Sequence, residues 1–242
     1  MQRRDFLLNT ALGGLGLFAL PSFEDGTFPA RTAASRVINA GVGGDNTRDL
    51  LRRIDKDCLA QRPGLVVLMV GTNDMNSRKY VPLEEYRENL VKIIKMVKKQ
   101  RSKVLLMTIL PFYEPYLLTR HPASFYGAEG PAGRRAAVNG TIAKVAREQR
   151  VSLLDMGGLF ERAGRVGTGK ISLIRNEVNS HMTDGIHPTP EGYRFMGLAV
   201  YDHIRYNGLI RESIVCFGDS ITHGDGGTDK ESYPAYLKRL LA

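Results

Sequence analysis

The sequence contains no tryptophan, no internal repeat and only two cysteines, Cys58 and Cys216. Cys216 falls in a predicted core strand and Cys58 in a predicted helix. We therefore expect two buried thiols rather than a disulfide or a metal-binding pair. The 242 residues are 43% hydrophobic and 24% charged, which is typical of a soluble globular protein with room for one substantial α/β domain.

Interleaved aromatic and basic residues of the nucleic-acid-binding kind are also missing, although the formal net charge is +9. Much of that charge lies in one stretch, 92–103 (KIIKMVKKQRSK). Its apolar residues Ile93, Ile94 and Val97 recur at helical spacing, so the lysines are predicted to form the solvated face of a helix. We expect no nucleic-acid partner.

The first twenty residues, MQRRDFLLNTALGGLGLFAL, are too short and too polar for a membrane span. Arg3-Arg4 followed by Phe6-Leu7-Leu8 resembles a twin-arginine export signal, with a disordered basic N-terminus as the alternative. We expect residues 1–35 to be an export signal and linker, with a candidate cleavage region at 30–35 (ARTAAS). The protein is then expected in the periplasm or outside the cell, with no stable membrane span after signal removal.

Short apolar runs alternate with helical patterns along the rest of the chain. Strands are predicted at 36–40, 65–70, 104–110, 151–154 and 214–217. Helices are predicted at about 47–58, 82–97, 134–149, 190–206 and 233–241, with loop-rich segments at 111–131 and 156–187. This alternation predicts a single domain, 36–242, with a parallel sheet covered by helices on both faces.

Polar loops directly follow three of the predicted strands. They contain Gly43-Gly44-Asp45, Asn73-Asp74 and Asp219-Ser220. Because the carboxyl ends of parallel strands meet at one edge of a sheet, these loops are expected to share the ligand crevice. A serine held there becomes a nucleophile if a base reaches its hydroxyl.

Four blocks of sequence resemble the SGNH (GDSL-type) hydrolase family: FGDSITHG at 217–224, NAGVGGDNT at 39–47, GTND at 71–74 and DGIHP at 184–188. The resemblance implies a flavodoxin-like, three-layer α/β/α fold with a central parallel five-stranded sheet. It also implies that residues 36–242 are a catalytic domain with a serine esterase or acyl-hydrolase site, without metal or organic cofactor.

The same resemblance implies the site residues. It implies that Ser220 is the nucleophile and that Asp184 and His187 are the Asp/His pair of the triad. It implies that the oxyanion hole consists of the Ser220 N–H, Gly44 and Asn73, with Gly43 as the alternative to Gly44.

The order of the blocks departs from the family, in which the serine block ordinarily comes first. Here that block comes last, after the DGIHP block. The chain is therefore expected to be a circular permutant, with a strand near the end of the sequence in the middle of the sheet. Serine triads are defined by geometry and occur in several chain orders, so the order is compatible with the same chemistry.

Each candidate residue also has a purely structural interpretation. Asn73 suits a turn, Gly44 suits a positive φ, and His187 before a proline could cap the next helix. Asp74 and Asp219 are predicted to be structural, bonding backbone N–H groups in their loops. The remaining histidines, at positions 121, 181, 203 and 223, lack the context of a catalytic base.

The expected function is hydrolysis of a carboxylic ester through an acyl-enzyme. A carbohydrate O-acetyl group or another short-chain ester is the first expectation, so the expected partner is a small-molecule or carbohydrate ester. Lysophospholipids and thioesters would use the same site. A non-catalytic glycan-binding protein on the same scaffold is the alternative from another class.

Overall fold

The computed structural model describes residues 35–225 and 231–242. The predicted export signal and almost all of the linker lie outside these residues. From Ser35 onward the described residues belong to one compact unit.

Five strands form one sheet in which every pair of neighbours is parallel. They are β1 (Arg36–Gly41), β2 (Leu65–Met69), β3 (Lys103–Met107), β4 (Ser152–Leu154) and β5 (Ser213–Gly218). The third strand was predicted to reach residue 110 but ends at Met107. Beyond it, the Ile109 N–H and C=O bond the side-chain amide of Asn139 at 2.8 and 3.1 Å, which takes them out of the ladder.

Ten α-helices are assigned within the described residues. They are α1 (Thr47–Asp57), α2 (Leu83–Lys99), α3 (Glu114–Leu118), α4 (Ala123–Tyr126), α5 (Gly130–Gln149), α6 (Met156–Ala163), α7 (Glu177–Ser180), α8 (Pro190–Tyr206), α9 (Ser220–His223) and α10 (Tyr233–Leu240). Helix α2 contacts both α1 and α5, whereas α10 contacts α8 and β1. The predicted fold class, α/β with a five-stranded parallel sheet flanked by helices, is confirmed.

Two segments predicted to be loop-rich contain helices. In 111–131 these are α3 and α4, and the helix predicted at 134 already begins at Gly130. In 156–187 the main one is α6, whose sequence MGGLFERA has two glycines and weak intrinsic helix propensity. Tertiary structure outweighs that propensity: the Asp155 side chain caps the helix at Gly158 N–H, and Phe160 is fully buried.

The last strand, β5, occupies the second position in the sheet order β1-β5-β2-β3-β4. It pairs with β1 on one side and β2 on the other, so that Gly218 lies opposite Gly41 and Met69. Its residues from Ile214 onward are buried, as expected for a strand with neighbours on both sides and helices on both faces. Three strands therefore end at the same level of the sheet.

Several local predictions are also confirmed. Both thiols are buried and free, and the lysines of α2 are exposed around a buried face that contains Ile93, Ile94 and Val97. Asn46 caps α1 with a reciprocal hydrogen bond from its own N–H to Asp49. Within the described part of the chain, no helix has the length and apolarity to cross a membrane.

Candidate active site

The candidate nucleophile stands on a tight turn between β5 and the short helix α9. A Cβ at Gly218 would lie 2.3 Å from the Met69 carbonyl oxygen and from Thr222 Oγ1, so only glycine fits where the strand ends. The next residue, Asp219, is buried, and its Oδ1 accepts the Ile221 N–H at 2.9 Å. Ser220 follows as the first residue of α9 and is half-buried.

The Asp184–His187 turn presents the candidate base. Asp184 Oδ1 accepts the backbone N–H groups of Ile186 and His187 at 2.9 and 2.8 Å, which curls the turn around the carboxylate. His187 Nδ1 consequently lies 2.8 Å from Asp184 Oδ2. On the other side of the ring, His187 Nε2 lies 2.9 Å from Ser220 Oγ. The structure thus brings together all three residues that the resemblance indicated.

The electrostatics of this pair select one arrangement of protons. Burial opposes ionisation of Asp184, but the hydrogen bonds and charge of His187 outweigh it and lower the pKa of Asp184 to about 2. The carboxylate is therefore ionised at neutral pH and accepts a hydrogen bond from Nδ1–H. A neutral imidazole with its proton on Nδ1 directs the lone pair of Nε2 at the Ser220 hydroxyl, as a general base requires.

The candidate oxyanion residues come from the loops after β1 and β2. Val42 N–H donates to the Gly218 carbonyl at 3.1 Å, which holds the first loop against the serine turn. Asn73 Nδ2 donates to the Asp45 carbonyl at 2.8 Å, which holds the second loop against the first. Gly44, between these contacts, has φ +79°, a conformation that favours glycine. Gly44 and Asn73 therefore lie in adjacent loops beside the serine turn.

Two buried aspartates support these loops. Asp74 Oδ1 accepts both the N–H and the hydroxyl of Thr47, at 2.9 and 2.5 Å, and so joins the Asn73 loop to the start of α1. Burial raises the pKa of Asp74 to about 6 and that of Asp219 to about 7. Their contacts agree with the structural roles predicted for both residues.

The structural alternative for His187, that it caps the next helix, is wrong. Thr189 caps α8 instead, because its hydroxyl accepts the Gly192 N–H.

Three other histidines bond groups other than carboxylates: His121 contacts Ser77, His203 contacts Ser152, and His223 donates to the Gly41 carbonyl. Within residues 35–225 and 231–242, no group of three or more His, Cys, Asp or Glu side chains could hold a metal ion.

Three arginines at the site were missed by the sequence analysis. Arg175 donates through Nε to the Pro188 carbonyl at 2.9 Å and forms an ion pair with Asp225, which links the histidine turn to the serine segment. Arg120 donates to the Asp184 carbonyl, and Arg53 donates to the Gly218 carbonyl. Arg120 and Arg175 lie outside the four motif blocks and gave no signal. Arg53 lies beside the apolar stripe of α1, and this position is the only feature of the sequence that indicates a partly buried side chain.

Residues 22–195, more than two thirds of the chain, match the model of the GDSL-like lipase/acylhydrolase family. The chain belongs to this family. The matched part of this GDSL-like hydrolase includes Gly44, Asn73, Asp184 and His187, and it ends before Ser220. The family assignment makes the protein an SGNH-type carboxylic ester hydrolase.

The individual proteins to which this chain is similar include esterases and a lipoprotein. An uncharacterized lipoprotein of Bacillus subtilis is 29% identical over 69% of this chain and 72% of its own length. An acetylxylan esterase of Geobacillus stearothermophilus is 36% identical, over only 32% of this chain and 38% of its own. The solved structure of an acetyl xylan esterase, AlAXEase, superposes with a TM-score of 0.52 at 25% identity, covering 71% of this chain and 79% of that one.

Proposed function

We propose that the protein cleaves carboxylic esters through a covalent acyl-enzyme on Ser220. The observation that carries this proposal is the continuous hydrogen-bonded chain from Asp184 through His187 to Ser220 Oγ. This arrangement supplies a nucleophile, a base within reach of its proton, and a carboxylate that fixes the base's tautomer.

In the proposed reaction, Ser220 Oγ attacks the ester carbonyl carbon while His187 Nε2 takes the hydroxyl proton. The negative charge that develops on the carbonyl oxygen is stabilised by the N–H groups of Ser220 and Gly44 and by the Asn73 amide. Collapse of this intermediate breaks the carbon–oxygen ester bond, and His187 returns its proton to the leaving alcohol. A water molecule, deprotonated by His187, then cleaves the acyl-enzyme, releasing the acid and free Ser220.

A serine-directed fluorophosphonate probe tests this mechanism. Labelling and ester hydrolysis are expected in the parent protein, and Ser220→Ala is expected to lose labelling and at least about 10⁴-fold in kcat. Ser213→Ala is the matched control, because Ser213 lies at the opposite end of the same strand. Absence of labelling in the parent, or persistence of labelling in Ser220→Ala, contradicts the proposal.

For the substrate we propose acetyl esters of carbohydrate, with other short-chain esters as the wider class. Likeness to two acetylxylan esterases supports this choice. A panel of acetylated oligosaccharides, short-chain aryl esters, long-chain esters, thioesters and lysophospholipids tests it. The highest kcat/KM is expected for an acetylated sugar, and a tenfold preference for lysophospholipid or long-chain acyl groups contradicts it.

We also propose that the chain is a circular permutant of the family. The observed order is β1-β5-β2-β3-β4. If counting starts at β5, the same sheet becomes 2-1-3-4-5, which is the flavodoxin-like order. Helix α10 also contacts β1, as expected if the two were once consecutive. The family model, which ends before Ser220, is consistent with this origin.

Restoring the inferred ancestral order tests the permutation. The redesigned chain begins at Gly208, joins Ala242 to Ser35 through a short linker, and ends at Asn207. It is expected to fold and to retain Ser220-dependent ester hydrolysis, because every paired strand is preserved. Failure to fold with linkers of several lengths contradicts the permutation.

Export by the twin-arginine route is proposed from Arg3-Arg4 and the apolar residues that follow, and a lipoprotein relative is consistent with export. Replacement of both arginines by lysine is expected to leave the protein in the cytoplasm of a bacterial host. Unchanged export of that variant contradicts the route.

A further inference from the structure

Arg53 is a partly buried cation beneath the three loops of the active site. It projects from α1, and its side chain is only 15% exposed. Its guanidinium carbon lies 4.5 Å from the centre of the Phe217 ring, the last side chain of β5 before the serine turn. Stacking on an aromatic ring fixes the plane of the guanidinium and therefore the direction of its N–H groups.

The guanidinium donates hydrogen bonds to two strands that end at the site. Nη2 donates to the Gly218 carbonyl at 2.9 Å, two residues before Ser220. Nη1 donates to the Ala40 carbonyl at 2.9 Å, at the end of β1. One planar group thus fixes the spacing between the strand that carries the nucleophile and the strand that leads into the Gly44 loop.

A third contact extends this link to the oxyanion residues. Arg53 Nε donates to Asp45 Oδ2 at 2.6 Å, and Asp45 directly follows Gly44. The carbonyl of the same Asp45 accepts the hydrogen bond from Asn73 Nδ2 at 2.8 Å. Displacement of Asp45 would therefore move Gly44 and release the Asn73 amide.

The charges around Arg53 favour a geometric role over a direct electrostatic one. Asp45 and Asp57 both contact the guanidinium, at 2.6 and 3.4 Å. Two carboxylates and one cation leave no net positive charge to attract an oxyanion. What the guanidinium contributes is a set of donors held in one plane, which a lysine ammonium cannot reproduce.

We propose that Arg53 is a positioning residue that aligns the Ser220 turn with the oxyanion groups of Gly44 and Asn73. The proposal rests on the function proposed above for Ser220, Gly44 and Asn73. Because Arg53 acts through these groups, its loss should reduce stabilisation of the transition state and leave ground-state binding of the ester largely intact.

Steady-state kinetics of Arg53→Lys on the best ester of the panel test this role. We expect kcat to fall about 10- to 100-fold, with KM within about threefold of the parent. Arg52→Lys is the matched control: Arg52 is the preceding residue on α1, its side chain is 69% exposed, and it pairs with Asp49. Thermal unfolding of each variant establishes that it is folded at the assay temperature.

Two further measurements separate positioning from a general loss of stability. In Arg53→Ala, millimolar guanidinium ion is expected to restore kcat several-fold, with no such effect on the parent or on Arg52→Ala. Combining Arg53→Lys with Asn73→Ala is expected to cost much less than the product of the two separate losses, because both changes disturb the same oxyanion site. If Arg53→Lys does not fold, Asp45→Asn tests the same link and is expected to lower kcat without raising KM.

The outcomes distinguish the two proposals. A folded Arg53→Lys with kcat within twofold of an active parent overturns the role of Arg53 and leaves the Ser220 mechanism intact. A loss carried by KM alone, or multiplicative effects with Asn73→Ala, also overturns it. A parent protein without Ser220-dependent ester hydrolysis overturns both proposals.

Discussion

Asp219 provides a test of the electrostatics directly beside the nucleophile. The residue is 1% exposed, its Oδ1 accepts the Ile221 N–H, and its Oδ2 has no hydrogen-bond partner among the described residues. Burial raises the pKa of Asp219 from 3.8 to about 7. The Ile221 N–H and the charge of His187 lower it, whereas Asp74 and Asp45 add to the increase. Asp219→Asn replaces the ionisable group by a neutral one of the same shape that keeps an oxygen for Ile221.

The sign of the effect follows from proton binding. Between about pH 4 and pH 7 the folded protein holds a proton on Asp219 that the unfolded chain has released. The free energy of unfolding therefore falls as pH rises through this window, by at most about 4 kcal/mol in total, since one pKa unit corresponds to about 1.4 kcal/mol. Asp219→Asn removes this dependence. It is expected to be more stable than the parent by about 1.5 kcal/mol at pH 5, and by up to about 4 kcal/mol at pH 8.

Urea unfolding of both proteins at pH 5, 6, 7 and 8 measures the difference. Asp74, whose pKa is raised in the same direction, is present in both proteins, so most of its contribution cancels. The Asp184 carboxylate, with its pKa lowered to about 2, loses its stabilising contribution only as pH falls below about 4, outside this range. Asp55→Asn, on the exposed surface of α1, controls for the loss of one negative charge. A stability difference between Asp219→Asn and the parent that stays constant from pH 5 to pH 8 would refute the reasoning.

Three further predictions concern the site and its support. Asp184→Asn keeps the shape of the turn but no longer holds the proton on His187 Nδ1, so kcat on esters should fall about 10⁴-fold; less than a tenfold loss argues against the assignment. Asn73→Ala should lower kcat about 10²- to 10³-fold with little change in KM, and a loss confined to KM would assign the amide to substrate binding instead. Gly218→Ala places a methyl group 2.3 Å from the Met69 carbonyl oxygen and should lower the free energy of unfolding, measured with urea, by about 1–3 kcal/mol. An unchanged free energy of unfolding would mean that the ends of β5 and β2 can move apart at no cost.

Much of the fold could be predicted because its signals are local. The apolar run of β2 is continuous and fully buried, and the spacing of Ile93, Ile94 and Val97 marks the inner face of α2. The positions of Ser220, His187 and Asp184 were predictable because their blocks resemble a known family and because parallel strands deliver loops to one edge. Helix α6 was not predictable, since its formation depends on the burial of Phe160 rather than on its glycine-containing sequence.

The arginines at the site were missed for a different reason. A sequence pattern shows which residues share a helix face, but not which carbonyl groups lie within reach of a long side chain. Arg53 and Arg52 are adjacent and chemically identical, yet the side chain of one is 15% exposed and that of the other 69%. The difference arises from the position of β5 beside α1, which is a property of the assembled sheet.

The central position of β5 has a consequence for the order of events during synthesis. The strands on either side of it, β1 and β2, leave the ribosome more than one hundred residues before Ser213 does. Because β5 is the only strand in the described residues that pairs with β1 and lies between β1 and β2, the five-stranded sheet cannot form before β5 has been synthesised. The same insertion that closes the sheet delivers Ser220 to His187. The strand that completes the sheet therefore also leads to the nucleophile, and a nascent chain cannot carry out the proposed chemistry before its sheet is complete.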